Sequence, residues 1–408
     1  MGLSLLGAAA AGALANGDEC NLGGYSADSA TEANTQISCT EDATFSLLGF
    51  AVLSGGSGTN TLQFRDAGAN GNQVVSFAGA SSGEDATNTD VLSAGDLFNL
   101  AYTDTGTNST IKWIKGNVQF SSGHGNFHIG AQFAGIVHDA ASSTRFLKLY
   151  GSMAVDGLAT EDQAEWKTHA YDTFEAIQVR VTANARTNNS DFRNRIDGAN
   201  GTGLVQFTAG ATGLLSDTAI GDAITDGQTV NMSITLDTGV EDLTVSLCAG
   251  TFKSSSNKSE TFMGSTGTSR AASSTEHYVQ PVGNLYSLTA LTEANARIKV
   301  GFAAVVSNLR CYLSANTYTG DGTLKLYQNG SAVITTTITA SGGAAWYENT
   351  SDTITIDADD ELSFAFDEGT SGSITIHAVG ITFAPVAAPG GTILPQMMQH
   401  GLFLGMRT

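Results

Sequence analysis

Three stretches of this chain repeat one pattern. Residues 96–120 read DLFNLAYTDTGTNSTIKWIKGNVQF, 228–252 read QTVNMSITLDTGVEDLTVSLCAGTF and 360–383 read DELSFAFDEGTSGSITIHAVGITF. The closing phenylalanines Phe120, Phe252 and Phe383 stand 132 and 131 residues apart (252 − 120 and 383 − 252). That period exceeds the roughly 20–50 residues of solenoid repeats, so each copy must build a core of its own. A chain that triplicates a domain covers area, spans distance or binds at several points. The repetition therefore argues for a structural or binding role.

Each copy opens on an alternating strand: FSLLGFAVLS (45–54), FEAIQVRVTAN (174–184) and IKVGFAAVVSN (298–308). In the second, Ile177, Val179 and Val181 share one face while Gln178, Arg180 and Thr182 share the other, which predicts a half-buried strand. A strand–turn–strand unit follows in LQFRDAGANGNQVVSF (62–77), FRNRIDGANGTGLVQF (192–207) and LKLYQNGSAVITT (324–336), turning through Gly and Asn as hairpins do. The closing stretch reads as a second hairpin turning through Asp, Thr and Gly. Residues 289–297 allow a turn or two of helix at most. Frequent turns and short alternating strands predict an all-β chain of three tandem β-sandwich, jelly-roll-like domains with extended apolar N- and C-terminal arms. The expected divisions are an N-terminal arm and lead-in (1–39), a first sandwich (40–120), a linker plus second sandwich (121–252), a linker plus third sandwich (253–384), and a Pro/Gly strap with an apolar tail (385–408).

The 39 acids outnumber the 18 bases, for a net charge of −21. Such a surface repels phosphate backbones, which argues against nucleic-acid partners. No stretch approaches the ~20 apolar residues of a membrane helix. The opening MGLSLLGAAAAGALA lacks the basic n-region of a signal peptide and reads as a retained apolar arm. The tail holds three of the four prolines and ends in an uncharged apolar run. Leu3, Leu5 and Leu6 in the first arm, and Ile393, Leu394, Met397, Met398, Leu402, Phe403 and Leu404 in the second, are the expected assembly contacts. Cys248 and Cys311 sit in apolar strand patterns as buried free thiols. Cys20 and Cys39 flank one segment and are open to pairing or to remaining free.

Few motifs carry chemistry. Gly79-Ala80-Ser81-Ser82-Gly83 fits G-x-S-x-G, but a nucleophile elbow needs a strand before it and a helix after it, and the second copy lacks the serine at that place. It reads as a turn. His124 and His128 would share a strand face, giving a weak metal candidate. Asp357, Asp359, Asp360 and Glu361 form an acidic knot in which Asp357 and Asp359 are weak candidates for structural Ca²⁺, although the spacing matches no defined calcium loop. Solvated loops and turn caps are the competing reading in both places. Trp113, Trp166 and Trp346 fall at unrelated points of the repeat, so no shared sugar-stacking platform emerges, and core packing is expected of Trp113. No catalytic residue and no cofactor is assigned.

The wording of residues 64–106 resembles repeats in structural proteins of tailed bacteriophages. The likeness is strongest at residues 68–73 (GANGNQ) and 90–97 (DVLSAGDL), looser at 197–203, and reduced to the Asn329-Gly330 turn in the third copy. It implies a virion location, assembly in the host cytoplasm, and no catalytic residues. The resulting expectation is a non-enzymatic virion protein, a capsid decoration protein or a head or tail fibre. Its partners would be other virion proteins, copies of itself and host surface glycans. The alternative is a secreted, extracellular filament subunit or adhesin that polymerises through a terminal arm.

Overall fold

The computed structural model describes residues 3–8, 13–24, 31–55, 57–122, 125–138, 143–152, 158–236, 241–272, 275–284, 292–367 and 370–386. In the first domain the principal strands are β1 (Leu3–Ala8), β2 (Glu19–Cys20), β3 (Ala43–Gly55), β4 (Thr59–Asp66), β5 (Ala69–Ala78), β6 (Ser82–Leu92), β7 (Leu97–Asp104) and β8 (Ser109–Phe120). One sheet runs β1–β8–β3–β6 and the other β2–β7–β4–β5. Consecutive strands thus cross repeatedly between two antiparallel layers, which is jelly-roll topology.

The second domain repeats this order with β9 (Gly125–His138), β10 (Thr144–Leu147), β11 (Thr173–Asn184), β12 (Ser190–Ile196), β13 (Ala199–Phe207), β14 (Gly213–Asp217), β15 (Thr229–Thr235) and β16 (Leu243–Lys253). The third uses β17 (Ser259–Ala271), β18 (His277–Val279), β19 (Ala304–Asn316), β20 (Gly322–Gln328), β21 (Ser331–Ile338), β22 (Ala345–Asn349), β23 (Glu361–Asp367) and β24 (Ser373–Ala384). With short extra strands, each domain pairs a six-stranded sheet with a five-stranded one. Among the described residues one short α-helix, Glu293–Ala296, falls inside the segment where a turn of helix was expected, and Glu32–Asn34 and Glu161–Gln163 form 3-10 turns at the equivalent places.

The middle hairpins stand where Gly and Asn predict them. Ala67, Asp197 and Asn329 have φ of 47°, 47° and 50°, and Gly68, Gly198 and Gly330 follow at 83°, 73° and 85°. Two consecutive positive φ values mark the tight turn whose twist matches flanking strands.

Three expectations are corrected. The closing stretch is no hairpin: β7 and β8 lie in opposite sheets, as do their counterparts, so the Asp/Thr/Gly turn carries the chain across the sandwich. Alternation and turn residues look alike in both cases. The glycine- and serine-rich openings of the segments 121–169 and 253–294, expected as linker, hold β9 and β17, while the strand-like runs after them belong to the following domain as expected. Leu3, Leu5 and Leu6 form no free arm. They pair antiparallel with Gln119, Asn117 and Gly116, completing the first sheet as β9 and β17 complete theirs. A six-residue extended segment with unpaired backbone groups beside an open sheet edge gains a full ladder by adding to it. Ile393, Leu394, Met397, Met398, Leu402, Phe403 and Leu404 lie outside the described residues.

Phe120, Phe252 and Phe383 are buried in their respective sandwiches. All four cysteines are buried, and none of them, Cys20 and Cys39 included, is in a disulfide.

Candidate assembly interfaces: three seams closing a ring

The prediction for β11 fails in an instructive way. Ile177, Val179 and Val181 are buried, but Gln178 and Arg180 are buried too, at 1% and 6% exposure. The polar face of the strand is covered by the preceding domain. Gln178 accepts a hydrogen bond from the Ser38 N–H (3.1 Å) and donates one to the Ser38 carbonyl (2.7 Å). Arg180 donates from Nε to the Gln36 carbonyl at 2.9 Å. The same geometry recurs at the next junction, where Arg310 of β19 donates from Nε to the Lys167 carbonyl at 2.8 Å. It recurs between the third domain and the first, where Lys115 of β8 donates to the Lys299 carbonyl at 2.7 Å. The domains therefore meet pairwise at seams 1/2, 2/3 and 3/1, and the chain closes into a pseudo-threefold ring.

One loop of each domain supplies the acceptors. It carries Thr31-Glu32-Ala33-Asn34, Thr160-Glu161-Asp162-Gln163 and Thr292-Glu293-Ala294-Asn295, at spacings of 129 and 132 (160 − 31 and 292 − 160). This fourth repeated block was missed in the sequence, and its spacing was the signal that could have found it. Its glutamates fix the loop: Glu32 pairs with Arg65 and Glu161 with Arg195, and both arginines also bind the carbonyl of the hairpin glycine, Gly68 or Gly198. In the third domain Arg297 takes this position from the loop itself, pairing with Glu293 and Glu361. An apolar residue three positions after the motif, Ile37, Trp166 or Ile298, is buried beside each seam.

The three seams differ in chemistry. The residues facing each other across the sheet are Gly49 and Lys115 in domain 1, Arg180 and Leu247 in domain 2, and Arg310 and Gly380 in domain 3. The cation thus moves to the neighbouring strand in domain 1, and the Lys115 stem lies over Gly49, where a Cβ would stand 2.8 Å from Lys115 Cε.

At seam 1/2, Phe127, Ile129, Leu247 and Ala249 merge with the core of domain 1. Burial pushes the Arg180 guanidinium down to about 10, still charged at neutral pH. At seam 2/3, Phe262, Tyr312 and Ala378 merge with the core of domain 2. There Arg310 Nη2 meets Glu260 Oε1 at 2.5 Å with both side chains wholly buried. Glu260 Oε1 also accepts from the His169 N–H (2.8 Å) and from Thr382 (3.1 Å), and the guanidinium lies 4.7 Å over the Phe262 ring. Lys148, fully buried and held well below its usual range by that burial, donates to the His377 carbonyl at 2.7 Å. Lys167 and His169 both reach Glu348, at 2.5 and 3.1 Å.

Seam 3/1 has the smallest apolar cluster. It is Ala51, Trp113, Val282 and Ile298 with Phe302 against it, apart from the core of domain 1 and touching that of domain 3 only through Phe302. Trp113, expected as core, is thus a seam residue. Lys115 pairs with Glu84 besides Lys299, and Lys112 donates to Asn295 at 3.2 Å. Two residues beyond Lys115, where seam 1/2 has Ala249, Asn117 is buried and its amide finds no partner among the described residues. A buried leucine stabilises by about 1.5–3 kcal/mol. A buried charge carries a desolvation penalty of several kcal/mol that its partners offset only in part. Leu247 therefore contributes net binding where Lys115 roughly breaks even.

Around the axis, β1, β9 and β17 approach one another together with the short strands Gly23–Gly24, Gly151–Ser152 and Gly283–Asn284. Gly151, at φ 59°, shows why glycine sits there: a Cβ would stand 2.6 Å from the Gly264 Cα and 2.8 Å from the Gly283 carbonyl oxygen.

The candidate metal residues are occupied otherwise. His128 lies in the core of the second domain, 4.6 Å from the Trp166 ring with Nε2 2.6 Å from the Tyr171 hydroxyl, and burial lowers its pKa to about 3. His124 lies outside the described residues. Asp359 pairs with Lys299, and the Asp357 N–H donates to the carboxylate of Asp360. The Asp360 carboxylate also accepts from Gln328 and Asn329, and Asp96 caps the equivalent turn of domain 1 by accepting from the Ser93 N–H. No group of metal-ligating side chains assembles among the described residues. In the G-x-S-x-G stretch the Ser81 carbonyl accepts from the Val52 N–H, as a turn between β5 and β6.

These features define a class: a single chain of three jelly rolls closed head to tail. No family model matches the sequence, and no curated protein matches it. Among solved structures, one from work on the triple jelly roll fold and turret assembly in an archaeal virus is similar at 13% identity over 86% of this chain and 82% of that one, with a TM-score of 0.19. A structure of Sulfolobus turreted icosahedral virus gives 14% identity over the same shares, with a TM-score of 0.19. The major capsid protein P2 of bacteriophage PM2 gives 10% identity over 64% of this chain and 98% of that one, with a TM-score of 0.18. At such TM-scores the superpositions add nothing to the strand order, which the hydrogen bonds of the chain itself define.

Proposed function

We propose that this chain is a non-enzymatic structural subunit of a virion, built as a pseudo-threefold block and placed on the particle as a decoration, cement or projecting component. The observation that carries the reading is the closure of three jelly rolls into one ring through specific seams. A ring presents three similar flanks at fixed angles, which suits a unit that sits among symmetric neighbours. A row of domains, as in a simple fibre, would leave the third domain free of the first. The cations support the same reading, since Lys112, Lys115, Lys148, Lys167, Arg180 and Arg310 all serve the seams. The outward loops keep the acidic excess, and neighbouring subunits would meet them with basic or cation-bridged surfaces.

The tail beyond residue 386 is the proposed anchor. Pairing of β1 within its own domain leaves the C-terminal tail as the arm through which the alternative, an extracellular filament subunit, would polymerise. The test is the composition of purified particles. The full chain should co-purify with virions, and a chain ending at residue 386 should fold with unchanged stability yet fail to incorporate. Absence of the full chain from particles would overturn the virion role, and normal incorporation of the shortened chain would overturn the anchor.

A further inference from the structure

We propose that seam 3/1 is an exchangeable interface, closed within one chain in the isolated ring and able to close between the third domain of one copy and the first domain of another. The partner is a second copy of this chain. Four observations carry the proposal, and none depends on where the protein sits on a particle.

Covalent connection differs first. Seams 1/2 and 2/3 are bridged by the short segments 121–124 and 254–258, so their halves cannot separate far. Among the described residues no chain connection crosses seam 3/1. Core continuity differs next: the first two seams merge the cores of the domains they join, whereas the small cluster of the third reaches the core of domain 3 through Phe302 and stays apart from that of domain 1. Polar satisfaction differs as well: the buried Arg180 and Arg310 of the other seams reach backbone carbonyls or a carboxylate, whereas Asn117, two residues beyond Lys115, is buried with no partner for its amide among the described residues. Finally, the seam is heterologous. The loop face of domain 3 (Val282, Asn295, Ile298, Lys299) meets a different face of domain 1 (Ala51, Lys112, Trp113, Lys115). A heterologous interface leaves one complementary half at each end of an opened chain, so a second copy fits the vacated half as well as the original domain did. In dilute solution the intramolecular partner prevails through its high effective concentration, and exchange is favoured when many copies are crowded or the seam is weakened.

Complementing variants test this on the full chain. Trp113→Ala impairs the domain-1 half and leaves the domain-3 half intact, and Ile298→Asp does the reverse. Each variant alone should scatter X-rays as an opened monomer with a larger radius than the parent, while circular dichroism keeps the parental β signal. Mixed in equal amounts, the two should form a one-to-one heterodimer of twice the chain mass in native mass spectrometry, joined by the one seam whose halves are both intact. If either substitution unfolds its domain, Lys112→Ala with Lys115→Ala, which removes the bonds to Asn295 and Lys299 and the packed lysine stem, replaces Trp113→Ala, and Asn295→Ala with Phe302→Ser replaces Ile298→Asp. Opened variants that stay monomeric on mixing would overturn the proposal. So would variants whose scattering matches that of the closed parent.

Discussion

Arg310 and Glu260 sit wholly inside seam 2/3, bound to each other, to backbone and to Thr382. Removing one member of such a pair strands the other, so Arg310→Ala should cost about 3–5 kcal/mol of stability. Replacing both with apolar residues of similar size should cost far less, and urea unfolding of the single and double variants measures the difference. Glu165 bears on pH. Burial is the main cause that pushes its carboxyl up to about 7 from the ordinary 4.5, with Glu161 and Asp162 adding to it. An acid whose folded pKa is raised holds its proton more tightly when folded. Its contribution is therefore fully favourable below about 4.5 and declines as pH rises through 7. Glu165→Gln should remove that slope, and the gap between the two urea midpoints should widen from pH 4.5 to pH 8. At this scale the sequence was only half legible. The alternation of β11 marked which residues face one way, but a buried Gln178 reads the same as a solvated one, because the residue that covers it is 140 positions away.

Among elements, the middle hairpins were the most legible. Their turns require backbone conformations that few residues adopt, and Asp197-Gly198 declares that in the sequence. At Gly198 nothing lies closer than 3.7 Å to an added Cβ, so a substitution there meets conformational strain without a clash. Gly198→Val should cost about 1–2 kcal/mol and Gly198→Asn markedly less, since asparagine tolerates the left-handed region. Thermal unfolding of the two variants decides it. The closing strands were misread for the opposite reason. Nothing local distinguishes a turn that pairs its flanking strands from one that sends them to opposite sheets, and β7 and β8 part company only because each finds longer partners elsewhere. The first strands of domains 2 and 3 were taken for linker because their opening stretches are rich in glycine and serine.

The whole molecule was legible as three units and illegible as a ring. Phenylalanine spacing counted the domains. The Thr-Glu-x-Asn/Gln repeat marked the loops that join them, but only contact across the seams reveals what those loops do. Because cores are shared, the domains are not independent. A chain lacking residues 1–122 should expose Phe127, Ile129, Leu247 and Ala249, which belong to the core of domain 1, and should aggregate where the full chain stays monodisperse in size-exclusion chromatography.

A trimer of identical chains must use the same residues at all its contacts. This chain places a buried lysine at one seam, a backbone-bound arginine at another and a buried arginine–glutamate pair at the third. Its corners are consequently addressable: a partner that touches one flank meets chemistry found at neither of the other two. Inheritance follows the same division, since a single codon change alters one corner and leaves its two counterparts as they were.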